Sequence, residues 1–419
     1  MSLHSCGMLE SGRKPSQMVL GARRRSRLVR LPTIALCLTL LGCIEPVRSA
    51  DVPPEVAARL AATSKAALSS SAASATARAL ASSELHSVPS DATPKPLSAS
   101  VERSTFFEQE DAPFLEALSS KAIARIEKGR GGRSLGFRIT LEGGQKGYFK
   151  AEQTFSAANW YGEVASYHLD RMLGLGRVPA VVSRSFPWTR LAPAAGADAR
   201  KGEIIVRNGQ VRGAFVAWVT GALRPMERTE GWERWVRVKY WPSTAISPFQ
   251  RPAVWKYELE QLRRMGNEFR PKEERLRRRN LKAEPDRPDR PAELSDLIVF
   301  DYLTRNIDRW GGENGNVLVR GEETGPLIFL DNGAGFEPGE VRPSLMEARL
   351  HVVQRFRRRT IEAVRAFDIK RFEARLAREA VTPVLSRAQL NALETRRKAL
   401  LEWVAEMEGI HGEAIWAWE

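Results

Sequence analysis

Residues 295–335 read SDLIVFDYLTRNIDRWGGENGNVLVRGEETGPLIFLDNGAG, and the order of apolar and polar positions in this stretch decides the fold. Ser295 stands as a helix cap, and Leu294, Leu297, Ile298 and Tyr302 recur at helical spacing, which predicts a buried helix over 295–303. Its C-terminal end delivers Asn306 and Asp308 into a glycine-containing loop. Two β-rich runs follow, 316–319 and 327–330, separated by Gly321–Pro326, and they read as a hairpin. In a symmetric antiparallel register the midpoint between 316 and 331 falls in that loop, which sets Asn316 and Asp331 opposite each other at the open end.

An amide oxygen and a carboxylate so placed are hard donors able to share a divalent cation. Asp308 comes from the preceding loop, on the side from which an acceptor hydroxyl would approach. In phosphoryl transfer a loop Asp takes the acceptor proton while an Asn and a post-hairpin Asp hold metal on the nucleotide phosphates, and the residue order here fits that plan. The letters H-R-D and D-F-G of ordinary kinases are missing; N-I-D-R and L-D-N-G stand in their place. Taken singly, Asp308 and Asp331 also read as turn formers with satisfied side chains. Asn314 competes with Asn316 as the metal ligand, because the loop after Asp308 is longer than the usual kinase spacing.

FDYLTRNIDR at 300–309, followed by the hairpin and LDNGAG at 330–335, resembles the Four-jointed and related secretory-pathway, Golgi-type atypical kinases. GEVASYHLDRMLGLGRVPAV at 162–181 is similar to the corresponding helix of that family. The resemblance covers most of 101–419. It implies an α+β, two-lobed protein-kinase-like fold, with a β-rich N-lobe over 101–222 and a mainly helical C-lobe over 223–419. It implies a Four-jointed-like kinase that moves the γ-phosphoryl of ATP to a hydroxyl acceptor, protein Ser/Thr or glycan, with Mn²⁺ or Mg²⁺. In some members of the wider family the helix Glu helps hold metal. Family members are also generally disulfide-bonded. Here the only cysteines are Cys6, Cys37 and Cys43, so the part expected to fold has none and depends on packing.

Upstream, Phe106–Lys128 carries Phe114, Leu115, Leu118, Ala122, Ile123 and Ile126 at helical spacing. Lys128–Gly136 is glycine-rich, and Gly131 and Gly132 are candidates for letting backbone N–H groups approach phosphates, although a Gly/Arg run also reads as a mobile loop. Phe137–Leu141 alternates as a strand, and Gly143-Gly144 returns the chain through Gly147–Lys150. Lys150 ends that strand, and Glu163 lies one turn into a helix over 160–173. A strand Lys paired with a helix Glu orients nucleotide phosphates, so Lys150 and Glu163 are assigned catalytic and ATP-binding roles, with metal holding as the other job open to Glu163. The bland alternative is a solvated strand-end Lys and a first-turn Glu favoured by the helix dipole. His168 reads as a packed core histidine. Ala214–Val219 reads as a strand leading to the segment where backbone groups would meet a nucleobase.

The chain has 419 residues, 43% of them hydrophobic, enough for a substantial core, and a formal charge of +15 with pI about 10.1. No zinc-finger spacing or aromatic RNA-binding signature accompanies the charge, so no nucleic-acid partner is assigned. Five arginines precede an apolar run over Leu31–Leu41 that is too short to span a bilayer, which predicts a signal peptide over 1–43. Leu40-Leu41-Gly42-Cys43 resembles a bacterial lipoprotein box, so Cys43 is expected to carry a lipid anchor, with plain cleavage as the alternative. Residues 44–100 are Ala/Ser/Pro-rich and read as a disordered tether. The expected location is therefore outside the cytoplasm, in the cell envelope as a lipoprotein or secreted.

WERWVRVKYW at 232–241 and the basic run that follows read either as a docking surface for an acidic or glycan acceptor or as a partly packed, solvated face. Residues 344–418 read as helical, with the C-terminal WVAEMEGIHGEAIWAWE as the last helix. Two rivals remain: a kinase fold that transfers AMP, and a catalytically silent exported binding module, which the scarcity of ATP outside the cytoplasm favours.

Overall fold

The computed structural model of the protein describes residues 105–130, 132–155, 157–226, 232–239, 248–249, 285–310, 316–322, 324–338 and 343–419. The predicted signal peptide, the 44–100 tether, Gly131 and Asn314 lie outside the described residues.

Strands β1 (Thr105–Phe106) and β2 (Gln109–Glu110) pair around Phe107 and Glu108, both at positive φ, and α1 (Ala112–Ser120) follows. The single helix expected over 106–128 is thus three kinds of structure. Ser119 and Ser120 turn their hydroxyls onto the Leu115 and Glu116 carbonyls as α1 ends. The β-branched Ile123 and Ile126 then belong to β3 (Ile123–Lys128), which suits their stiff side chains. The spacing of Leu118, Ala122 and Ile126 by four residues fell across two elements by coincidence.

After β4 (Gly136–Leu141) and β5 (Lys146–Ala151) come α2 (Trp160–Met172), β6 (Val181–Pro187), α3 (Trp188–Ala195) and β7 (Gln210–Ala217). The five strands β3 to β7 form one antiparallel sheet in the order β3-β4-β5-β7-β6. Alternation by two puts Phe137, Ile139, Leu141, Phe149 and Phe215 on one face, where all are buried and Phe149 packs edge-on against Phe186 and Phe215. The opposite face of β5 carries Tyr148 and Lys150. β7 ends at Ala217, so Trp218 and Val219, expected on that strand, lie beyond it.

A short β8 (Leu223–Pro225) then joins a different sheet. Its partners come from beyond α4 (Arg290–Thr304): β9 (Leu318–Arg320) and β10 (Leu327–Ile328), in the order β10-β9-β8. Every residue of α4 is buried, and its polar residues are paired: Arg290 with Asp286 and Glu293, and Asp296 with Arg357 and Thr360. α4 begins five residues before the serine expected to cap it, with Pro291 in its first turn. Ser295 instead sits inside the helix and donates its hydroxyl to the Arg355 carbonyl at 2.9 Å. Arg305, in the left-handed region at φ 57°, ends the helix.

α5 (Pro343–Leu350), β11 (Phe356–Arg357), α6 (Arg358–Ala366), α7 (Ile369–Leu376) and α8 (Arg387–His411) complete a mainly helical second half. α8 is opened by a capping box at Ser386 and Gln389. The tail does not continue as helix. Gly412 at φ 59° breaks α8, and β12 (Trp416–Trp418) pairs in parallel with β11. The whole is an α+β architecture, as expected.

Candidate active site

Lys150 lies on β5 between cross-strand neighbours Gly136 and Ala214, whose small side chains leave its long one room to cross the sheet face. Tyr148, two residues earlier on that face, lies under Gly129 and Gly136, where any Cβ would meet its ring. The glycines at the two ends of the β3–β4 loop are therefore needed for packing. Within that loop Gly132 adopts φ 75°, and its carbonyl accepts a 2.9 Å hydrogen bond from Arg200.

Glu163 is in the first turn of α2 and only 1% exposed. α2 is seated against residues 332–335: an ideal Cβ on Gly162 would stand 2.6 Å from the Asn332 carbonyl oxygen and 2.9 Å from that of Gly335. Only glycine permits this approach. The seat brings Glu163 Oε1 within 2.5 Å of Lys150 Nζ and lets it accept a 2.7 Å hydrogen bond from the Asn332 backbone N–H. Lys150 Nζ also donates to Asp331 Oδ1 at 2.7 Å. Burial opposes the lysine's charge, but the Asp331 and Glu163 carboxylates outweigh it and raise its pKa above the ordinary value. The Lys150 ammonium in turn holds the Asp331 carboxyl below the usual carboxylate range.

Asp331 has φ 62°, a left-handed conformation that Asp tolerates better than most residues and that turns the chain out of the β10 direction. A set of side chains absent from the predicted site holds it there. Buried Arg309, the residue after Asp308, donates to both oxygens of Asp301 on α4, at 2.8 and 3.0 Å. The same guanidinium reaches the Leu330 carbonyl at 2.5 Å and Asn332 Oδ1 at 2.6 Å, gripping the chain on both sides of Asp331. Asn306 Nδ2 donates to the Asp331 carbonyl at 3.1 Å, and its Oδ1 accepts from the Asp308 N–H at 3.2 Å. Asp301 also accepts from Trp310 Nε1 at 2.9 Å. A carboxylate within the apolar run Leu297–Leu303 was the available signal for this network, since buried charges need partners.

Asp308 is exposed at the surface of the loop. Asn316 Nδ2 donates to Asp308 Oδ2 at 3.3 Å, so Asn316 stands beside Asp308, not opposite Asp331. The expected register is corrected. Observed pairs are Val319 with Leu327 and Leu318 with Ile328, and Arg320 N–H donates to Pro326 O. The loop between Arg320 and Pro326 holds an odd number of residues, so the centre of the hairpin falls on position 323 and the continued ladder sets 316 against Leu330. His168 is packed against Tyr167 and largely covered; its Nε2 pairs with Glu379 Oε1 at 2.7 Å, and the Glu379 carboxylate accepts from Ser183 N–H as well.

The donors Glu163, Asp331 and Asn316 offer oxygen only, which suits a hard divalent ion such as Mg²⁺ or Mn²⁺. The Asp331 side chain is 53% exposed, and its Oδ2 has no hydrogen-bond partner among the described residues. Among those residues no cluster of three His, Cys, Asp or Glu side chains is spaced for a metal, so an ion here would complete its shell with phosphate oxygens and water.

Comparison with known proteins supports the same reading. A sequence model described as "Fam20C: Golgi casein kinase, C-terminal, Fam20" matches residues 275–412. Human glycosaminoglycan xylosylkinase is 26% identical over 330 residues, covering 70% of this chain and 74% of that protein. Human Four-jointed box protein 1 is 28% identical over 249 residues, covering 56% of this chain and 48% of that protein, about half its length. The structure of hydra Fam20 with sugar superposes with a TM-score of 0.52 at 21% identity, over 71% of this chain and 89% of that one. The Golgi casein kinase with Mn/ADP bound gives 0.54 at 17% identity, over 74% and 80%. At such identities the structural likeness establishes the kinase-like fold. The sequence matches point the same way: residues 275–412 fit the Fam20C model, and the chain is similar in sequence to the human xylosylkinase and to Four-jointed box protein 1, which supports kinship with the Fam20 and Four-jointed kinases.

Proposed function

We propose that the protein is an ATP-dependent phosphotransferase that moves the γ-phosphoryl group to a hydroxyl of a protein or glycan acceptor. The observation that carries this is the Lys150, Glu163 and Asp331 ion cluster, joined through Asn332, Arg309 and Asn306 to the loop bearing Asp308. Lys150 would hold the nucleotide phosphates and Glu163 would fix Lys150 or share in holding metal. Asp331 would hold Mn²⁺ or Mg²⁺, which when bound neutralises charge on the transferring phosphoryl group; Asn316 would join it through its amide oxygen, its Nδ2 being given to Asp308. Asp308 would accept the acceptor's proton, with Asn306 fixing its backbone and Asn316 its carboxylate. Gly132 lies in the loop above Tyr148 and would meet the phosphates through backbone N–H groups, together with Gly131.

The Mn/ADP complex of the Golgi casein kinase supports the choice of nucleotide and metal. The names of the xylosylkinase and the casein kinase support a sugar or protein hydroxyl as acceptor. Incubation of the purified protein with Mn-ATP and mixed glycan and protein acceptors, followed by intact-mass analysis, tests the reaction. One phosphoryl group added to an acceptor is expected. Addition of AMP would replace this reading with the nucleotidyl-transfer one.

Export with lipid attachment at Cys43 is part of the same proposal and rests on the Leu31–Leu41 run and Leu40–Cys43. No helix among the described residues is long and apolar enough to cross a membrane. Fatty-acid labelling that disappears in Cys43→Ser is the expected result; equal labelling of both forms would refute it.

A further inference from the structure

Lys150 makes two ion pairs at once, with Glu163 at 2.5 Å and with Asp331 at 2.7 Å. Pairing with Glu163 alone would suffice to aim it at phosphates. The second pair places an ammonium between the two carboxylates that the site offers to a divalent ion. An Mg²⁺-sized ion ligating those same oxygens must come within about 2.1 Å of each, and the ammonium already lies among them. With Lys150 in place the three groups carry one net negative charge; without it they carry two.

We propose that Lys150 is the resident counter-cation of the metal site and makes divalent-metal binding conditional on nucleotide. This rests on the functional reading above. Nucleotide phosphates give the ammonium a new partner and draw it off Asp331 Oδ1, which restores the full negative charge of the carboxylate toward the ion. By linkage, metal bound beside the phosphates tightens nucleotide by the same factor. The coupling keeps the site from being filled by metal alone.

Calorimetric titration of the full chain with Mn²⁺, without nucleotide and then with saturating ADP, tests this directly. Wild type is expected to bind Mn²⁺ weakly alone and much more tightly with ADP. Lys150→Met should bind Mn²⁺ alone at least about tenfold tighter than wild type, because removing a unit charge a few ångströms from the ion relieves a large repulsion. Its further gain from ADP should shrink toward onefold. Lys150→Arg, which keeps the charge, should stay weak, and Asp331→Asn added to Lys150→Met should abolish the gain. Lys150→Gln provides the same readout if the Met variant folds poorly. Wild type that binds Mn²⁺ with ADP, beside a Lys150→Met that binds Mn²⁺ alone no better than wild type, overturns the proposal and leaves the functional reading standing. Wild type that binds no Mn²⁺ even with ADP overturns both.

Discussion

Asp331 and Lys150 are held charged by one another, and this fixes how their contribution to stability depends on pH. The folded Asp331 carboxyl titrates below its unfolded value of about 4, so its contribution is fully present above that value and is lost as pH falls through the lower folded one. Lys150 is the mirror case: its contribution is present below about 10.4 and is lost only as pH rises through the higher folded value. The destabilisation caused by Asp331→Asn, measured by urea unfolding, should therefore be flat between about pH 5 and 9 and shrink toward acid. Arg309 is a harsher case, because its removal strands the buried Asp301 carboxylate: Arg309→Leu should cost about 3–5 kcal/mol in the same measurement. The meeting of Lys150, Glu163 and Asp331 could be anticipated because the first two lie within elements, and the third just after one, whose periodicity announces them. Asn316's neighbour could not, since an odd rather than even loop shifts every pair. Arg309 was hidden because an arginine beside a loop aspartate reads equally well as solvated.

α2 meets the 332–335 segment with no gap at Gly162, and here a single methyl group is informative. Gly162→Ala would press Cβ into two backbone carbonyls that have no rotamer to escape with, costing about 1–3 kcal/mol and shifting Glu163 away from Lys150. A lower melting temperature together with weaker Mn-ADP binding is expected; unchanged binding would mean that α2 need not seat here for the site to form. Elements with one clear period, β4, β5 and α2, could be read from the sequence almost residue for residue. α1 and β3 were fused because their apolar residues happen to share a spacing of four. β8 had no local signal: three exposed residues ending in proline become a strand only because β9 arrives from almost a hundred residues later, and Pro225 is tolerated because that edge is unpaired.

Across the whole molecule the two halves meet through the site itself. Glu163 of α2 binds the Asn332 backbone, Arg177 binds the Leu327 carbonyl, and Phe329 N–H binds the Arg177 carbonyl. Ligands that bind across this junction stabilise the fold by mass action. ADP with Mn²⁺ at a hundred times the dissociation constant should add about 2.7 kcal/mol. At about 2–4 °C per kcal/mol for a domain of this size, that is a rise of roughly 5–10 °C in the melting temperature, which scanning fluorimetry would detect. Mn²⁺ alone should give little of it. The general α+β plan could be inferred before the structure because the β-rich and helix-rich stretches are separate in the chain. The parallel pairing of β11 with β12 could not, since it joins residues sixty apart that carry no shared pattern.

Under the proposed function Asp308 and Asp331 divide the work, one acting on the acceptor's proton and the other on metal and phosphate. Single-turnover phosphoryl transfer, measured beside Mn-ADP affinity for Asp308→Ala and Asp331→Ala, tests it most directly. Asp308→Ala is expected to keep wild-type Mn-ADP affinity while transfer falls by about 10²–10⁴-fold, and Asp331→Ala to lose binding and transfer together. Transfer by Asp308→Ala at the wild-type rate, or undiminished Mn-ADP binding by Asp331→Ala, would show that the two carboxylates do not have these roles.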